Sequence, residues 1–253
     1  VGDPTLHLIP APLDHGLAEP TPIVDLLGAE ALRVAAGLRH WAVENARTAR
    51  GVLARVNAVV PLGLPMHSLS IAELPRPRKG AAADNAAPAW AALLAPLRQG
   101  HDLGLMSEAG LPAVADPGAR LVAAAHDAGF AVRVHPGPSA LVLALAASGL
   151  NGQSFAFVGY LPVDATERAD RLVRLDAHAR RTGQAQVVIE TPYRNRALVE
   201  AMVQHLAPTT RLSVSVALGT AQARTWSRPV AGWRAAPVVL PGDQPAVYCF
   251  GPA

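Results

Sequence analysis

Three stretches of the chain share one pattern: a short apolar run of β type, a turn rich in glycine and proline, then apolar residues spaced three and four apart. That succession predicts βα units, and their recurrence predicts an open α/β sheet. The first unit is Leu103-Gly104-Leu105-Met106, a loop from Ser107 to Gly118, and a helix from Ala119 to Ala128 closed by Gly129. The second is Ala131-Val132-Arg133-Val134, the turn His135-Pro136-Gly137-Pro138, and a helix opened by Ser139 as N-cap and carrying Leu141, Leu143 and Leu145. The third is Gln186-Val187-Val188-Ile189, then Glu190, Thr191 as N-cap, Pro192 at the first helical position, and a helix to about Leu206 that stops at Pro208. In such a sheet ligands sit beyond the carboxyl ends of the strands, so the loops after Met106, Val134 and Ile189 are expected to line a pocket.

The polar, turn-forming segment Asn151-Gly152-Gln153-Ser154 precedes a fresh strand, Phe155 to Val158, and divides the chain into domains 1–150 and 151–253. Thr166 to Thr182 reads as an arginine-rich helix. Arg211 to Ala217, Ala223 to Val230 and Ala246 to Phe250 read as strands, which makes the second half α+β. Leu69 to Ala89 lacks periodicity and is expected to be a mobile loop.

Composition narrows the function. Of 253 residues, 51 are alanine, so the core is built of small side chains. The single cysteine, Cys249, excludes an intramolecular disulfide framework and fits a reducing compartment. The longest apolar stretch, Ser139 to Leu150, is shorter than the roughly 20 residues a membrane helix needs. The opening Val1-Gly2-Asp3-Pro4-Thr5 lacks the basic start and apolar centre of a signal peptide, and a cytoplasmic protein is expected. The net charge is +3, with Lys79 the sole lysine, which permits a nucleic-acid partner without demanding one.

No G-x-G-x-x-G follows a strand and no G-x-x-x-x-G-K-[ST] occurs, which argues against ordinary NAD and P-loop ATP sites. Nine histidines without metal-ligand spacing, and a lone cysteine, give no metal site. Gly137-Pro138-Ser139-Ala140-Leu141 approximates the turn of a serine hydrolase, but Leu141 stands where the last glycine belongs. Amides at the Ser139 helix start suit a carboxylate, as on the amino-acid end of a cofactor. Arg76, Arg78 and Lys79 are candidate RNA contacts. Arg168, Arg171, Arg174, Arg180 and Arg181 alternate with Glu167, Asp170 and Asp176 and read better as a solvated, ion-paired face.

The run Met106 to Pro112, the triplet Asp116-Pro117-Gly118, Pro136 to Leu141 and Ala147 to Leu150 together resemble the tetrapyrrole methylase superfamily of S-adenosylmethionine (SAM) dependent methyltransferases. Within it the chain is similar to bacterial enzymes that 2′-O-methylate a cytidine of small-subunit ribosomal RNA. Phe155 to Pro162, Glu190-Thr191-Pro192-Tyr193-Arg194 and Glu44 to Arg50 extend the likeness. The resemblance implies two α/β domains, usually in a homodimer, with SAM in the interdomain cleft. Carried over by position, it implies cofactor contacts from Glu108, Gly110, Pro112, Val114, Ser139, Ala140, Tyr193, Ala217 and Ala246. Glu44 and Glu190 are candidates to take a proton from the acceptor, and Arg47 to hold an anionic acceptor group.

Substrate-side motifs depart from that family pattern. A T-P-I-G-N-L-like turn is replaced by residues 11–16, E-D-T-R by Glu44-Asn45-Ala46-Arg47, and a charged R-E-x-T-K segment by Ala217-Leu218-Gly219-Thr220-Ala221. Three readings follow: a methyltransferase acting on ribosomal RNA or the small ribosomal subunit, one acting on a small molecule such as a tetrapyrrole, and a SAM-binding protein without catalysis.

Overall fold

The computed structural model describes residues 2–14, 20–75, 87–241 and 244–252. The described chain forms two compact units, Val1–Pro138 and Ser139–Ala253.

In the first unit, strands β1 (Thr5–Leu8), β2 (His40–Val43), β3 (Ser70–Glu73), β4 (Leu103–Met106) and β5 (Ala131–Val134) form one sheet in the order β3-β2-β4-β1-β5. Every pairing in it is parallel. The sheet is covered on both faces, as parallel sheets are. Helices α1 (Ala29–Gly37) and α2 (Ala46–Val59) pack over Ile9, Trp41, Val43 and Met106. Helices α3 (Ala87–Leu93), α4 (Ala95–Arg98) and α5 (Ala119–Asp127) cover Leu6, Leu8, Leu103 and Leu105. The alternation along each strand decides which face a side chain joins. Gly104 lies opposite Trp41 in the register, and a Cβ there would stand 2.5 Å from the indole Cε3, so the ring fills the space that glycine leaves.

The order places β1 beside β4 although the chain leaves β1 toward β2 and leaves β4 toward β5. Connections that diverge from neighbouring strands open a crevice at their carboxyl ends. Here the two loops are stitched together by Ala11 and Gly110, each donating its N–H to the other's carbonyl at 2.9 and 3.0 Å.

The second unit holds α6 (Ala140–Ser148), β6 (Phe155–Gly159), α7 (Ala165–Thr182), β7 (Ala185–Glu190), α8 (Asn195–His205), β8 (Arg211–Val216), β9 (Arg224–Pro229), α9 (Val230–Ala235) and β10 (Ala246–Gly251). Its sheet, β6-β7-β10-β8-β9, is parallel only between β6 and β7. Tyr248 and Phe250 point to a core with α7, α8 and α9, while Val247 and Cys249 point to α6. Burial pushes the Cys249 thiol up to about 12, which makes it an inert core residue.

Three expectations change. The units divide ahead of α6 rather than after Leu150, because Ala144 and Leu145 bury against Val187, Val247 and Cys249 of the second sheet. The stretch expected as a loop from Leu69 to Ala89 contains β3, an edge strand too short to show a period, and the start of α3. After Thr191, a 3-10 turn over Pro192–Arg194 precedes α8, since the Thr191 hydroxyl donates to Glu190 Oε1 at 3.1 Å instead of capping a helix. Ser139 does stand at the N-cap of α6, yet its hydroxyl makes no cap hydrogen bond.

Candidate active site

Three carboxylates converge beyond the carboxyl ends of β2 and β4. Glu44 follows β2 directly; its N–H continues the ladder to the Met106 carbonyl at 3.1 Å, and its Oε2 accepts the Glu108 N–H at 3.0 Å. Glu108, two residues past β4, accepts from the Thr48 hydroxyl at 3.3 Å. Asp116 closes the group from the far end of the 107–118 loop. Burial and then the Glu44 charge raise its carboxyl to about 6, with Glu108 adding to the rise and a hydrogen bond from Ser107 opposing it. Asp116 is not among the candidate residues the sequence offers, although it opens the Asp116-Pro117-Gly118 triplet and shares its loop with Glu108.

The start of α2 organises the wall beside them. Asn45 caps the helix by accepting the Arg47 and Thr48 N–H groups at 2.9 and 3.2 Å, and Glu73 Oε1 accepts the Ala46 N–H at 2.9 Å. A cavity of about 570 Å³ opens there, lined by Asn45, Arg47, Thr48, Arg55, Asp14 and Glu108 among others. Asp14 is buried and holds Arg55 through two contacts of 3.0 and 2.9 Å, while Arg55 also donates to the Thr21 carbonyl. That pair shapes the cavity but is already satisfied. Arg47 is exposed and, among the described residues, has no carboxylate partner.

The loop that carries Glu108 and Asp116 is conformationally strained. Gly110 has φ +73°, and Ala113 and Ala115 occupy the left-handed region at 68° and 65°. Ala217, at 51°, is the third non-glycine residue of this kind among those described. Each such alanine costs about 1 kcal/mol or more, and strain of this kind concentrates at ligand sites.

Residues 29–232 match the family described as Tetrapyrrole (Corrin/Porphyrin) Methylases. The chain belongs to that family. Curated relatives carry the name Ribosomal RNA small subunit methyltransferase I. The protein from Mesorhizobium japonicum is 38% identical over 172 residues, covering 67% of this chain and 56% of the relative. The one from Xylella fastidiosa is 51% identical over 86 residues, covering 34% and 31%. The chain thus spans about half the length of the first of these relatives and a third of the second. Among solved structures, a uroporphyrin-III-C-methyltransferase from Thermus thermophilus aligns with TM-score 0.52 at 20% identity over 99% of this chain and 93% of that one. A conserved hypothetical protein from Aeropyrum pernix aligns with TM-score 0.61 at 17% identity over 100% and 85%. These two share the fold.

In this tetrapyrrole methylase the first unit gathers Glu44, Arg47 and Glu108 around one crevice, with Gly110, the buried Pro112 and the exposed Val114 along the strained loop. The second unit gathers another set on one sheet edge, where Ala246 pairs with Glu190 on one side and with Val216, the residue before Ala217, on the other. Ala140 packs on the same α6-facing cluster as Ile189 and Leu218. Ser139 is buried beside it in sequence, and Tyr193 projects from its 3-10 turn at 82% exposure.

Glu190 differs from the other candidates. Its buried carboxylate lies 3.2 Å from Arg194 Nη1 and accepts the Thr191 N–H at 2.8 Å, so it is engaged in holding its own turn. Of the arginine-rich helix, Arg180 pairs with Asp176 at 3.3 Å, but Asp176 is buried and accepts the Ala207 N–H and the Thr210 hydroxyl, so it anchors α7 rather than solvating a face. Arg76, Arg78 and Lys79 lie outside the described residues. Among the described residues no group of three or more His, Cys, Asp or Glu could hold a metal ion, and no helix is long and apolar enough to cross a membrane.

Proposed function

We propose that this chain transfers the methyl group of SAM to a ribose 2′-hydroxyl of small-subunit ribosomal RNA. The observation that carries the reading is the similarity to curated relatives named as small-subunit ribosomal RNA methyltransferases. The site chemistry supports it, because a hydroxyl acceptor needs a base and the crevice holds a carboxyl raised to about 6.

The residues fit SAM in kind. Gly110, Ala113 and Ala115, all at positive φ, turn the 107–118 loop with small side chains that let a ligand come close to it, and Ala217 is a residue of the same kind in the second unit. Glu108, Gly110, Pro112 and Val114 of the first unit, and Ser139, Ala140, Tyr193, Ala217 and Ala246 of the second, are the groups each unit offers. When bound, SAM supplies a methyl on a sulfonium, an electrophile that needs chiefly alignment with the acceptor.

The chain's own residues then divide the work. Glu44 fixes the 107–118 loop by accepting the Glu108 N–H. Asp116, whose proton affinity is raised by burial and by the Glu44 charge, accepts the proton of the attacking hydroxyl. Arg47, free of any carboxylate among the described residues, holds a phosphate of the acceptor at the cavity rim. Glu190 serves the second unit as a positioning group for Arg194. The protein acts in the cytoplasm, where its acceptor is found, and as a homodimer, to which the exposed Val142 and Leu143 on α6 are suited.

Thermal unfolding with SAM, and with its demethylated product, tests the cofactor half of this reading. A ligand at a hundred times its dissociation constant adds about 2.7 kcal/mol of stability and raises Tm. An unmoved Tm in ligand-free protein contradicts it.

A further inference from the structure

We propose that a second cavity, at the amino-terminal edge of the first sheet, binds a phosphate group through Arg39 and Arg33, with His40 and His101 as partners that strengthen the hold when protonated. The cavity, of about 380 Å³, is also bordered by His7 and Asp102. It rests on no part of the methyl-transfer reading. β2 and β4 begin there, so the crevice beyond their carboxyl ends is at the opposite edge of the same sheet.

The charge arrangement points to an anion. Arg39 is exposed and has no carboxylate partner among the described residues; Arg33 donates through Nε to the Ala29 carbonyl, leaving the outer nitrogens of its guanidinium available. The acid in the lining, Asp102, is occupied: its Oδ1 accepts the Thr5 N–H at 2.9 Å and its Oδ2 lies 3.7 Å from His7 Nε2. His7 in turn shares a hydrogen bond of 3.0 Å with His135, so that chain of groups is closed on itself. Arg33 and Arg39 thus face the cavity with no carboxylate partner among the described residues, and Asp102 is the one acid in its lining.

The histidines sharpen the case. His40 and His101 stack with ring centroids 5.3 Å apart, and His40 Nε2 is buried without a hydrogen-bond partner. Orphaned buried polar atoms are rare and mark a place where a partner belongs. Burial, then His101, then Arg39 lower the proton affinity of His40. An anion between these groups reverses the last two effects, so phosphate and protons bind cooperatively. Phosphate suits the site because arginine binds its oxygens in pairs and imidazolium supplies further charged donors. The groups facing His40 and His101 are Arg33, Arg39, His7 and Asp102; Arg133 and Glu30 act on the neighbouring His7–His135 pair.

Two sources supply such a group: free phosphate or a phosphomonoester, and the phosphodiester backbone of RNA. The test follows imidazole proton resonances of the whole chain by NMR at pH 6 and pH 8, assigned with His40→Gln, during titration with inorganic phosphate and separately with a short oligouridylate. The expected result is saturable movement of the His40 and His101 signals and about tenfold weaker binding in Arg39→Gln; an oligouridylate that binds, its phosphodiester charge being the same at pH 6 and pH 8, is held more tightly at pH 6. Circular dichroism of that surface variant checks its fold. Movement with phosphate assigns the site to free phosphate or a monoester, and movement with oligouridylate alone assigns it to the RNA backbone. No saturable movement with either ligand, or movement matched by the exposed His126 and unaffected by Arg39→Gln, overturns the proposal. Neither result bears on SAM binding.

Discussion

The Glu44 carboxylate accepts the Glu108 N–H at 3.0 Å, joining the end of β2 to the loop that follows β4. The bond crosses from one parallel strand to its neighbour at the edge where ligands of α/β sheets bind. It also sets a second charge beside Asp116, whose raised proton affinity comes first from burial and next from Glu44.

Glu44→Gln keeps an oxygen to accept the Glu108 N–H and removes the charge. Asp116 then holds its proton less tightly, and the acid limb of the pH–rate profile moves to lower pH than in the parent. Turnover at pH 7 falls, because a weaker base accepts the proton less well, while SAM affinity stays nearly the same. A profile that does not move removes Glu44 from the electrostatics of the site.

Asp116→Asn separates stability from activity. The folded carboxyl titrates near 6, above its ordinary 3.8, so the folded state binds more protons than the unfolded state between those values. Its stabilising contribution is complete below about 3.8 and is lost as pH rises through 6. Asparagine carries no such charge. The variant therefore matches the parent near pH 4 and is more stable at pH 7.5, by about 1 kcal/mol after solvent screening, or roughly 2–4 °C in Tm. Methyl transfer is lost. Parallel thermal and activity profiles check both halves.

Arg47 and Arg55 line the same cavity and have opposite fates on substitution. Arg47→Gln leaves the unfolding free energy within about 0.5 kcal/mol of the parent, weakens RNA binding, and lowers the slope of log affinity against log salt by about one unit. Arg55→Gln strands the buried Asp14 carboxylate and costs about 3 kcal/mol in denaturant unfolding. Equal stability losses in the two variants contradict the division of roles.

Gly104→Ala places a Cβ 2.5 Å from Trp41 Cε3 in the middle of the first sheet. The indole or the strand must shift, at about 1–3 kcal/mol by urea unfolding. SAM affinity of the folded fraction is unchanged, since the strain lies inside the sheet.

The legible parts of the chain were those where a local rule decided the outcome. The run Leu103 to Met106, its long loop and the helix closed by Gly129, at φ +79°, follow from periodicity and turn chemistry alone. Glu44, Arg47 and Glu108 came together because residues just past strands of one parallel sheet share an edge. What escaped depended on contacts distant in sequence. The placement of α6 with the second sheet is fixed by packing on Val187, Val247 and Cys249, and no local pattern announces it. Asp116 stands in the sequence only as part of the Asp116-Pro117-Gly118 triplet, and the fold sets Glu44 beside it. Glu190 is a base candidate in the sequence, and the pairing with Arg194 shows only in the fold; β3 is four residues of edge strand without a period to read.

The most direct test of the proposed methyl transfer is delivery of labelled methyl from SAM to purified small ribosomal subunits that lack the modification. The expected result is label in the ribosomal RNA, resistant to alkaline cleavage at the methylated ribose, and abolished by Asp116→Asn. Absence of label with the folded, SAM-binding chain, or label undiminished by Asp116→Asn, contradicts it.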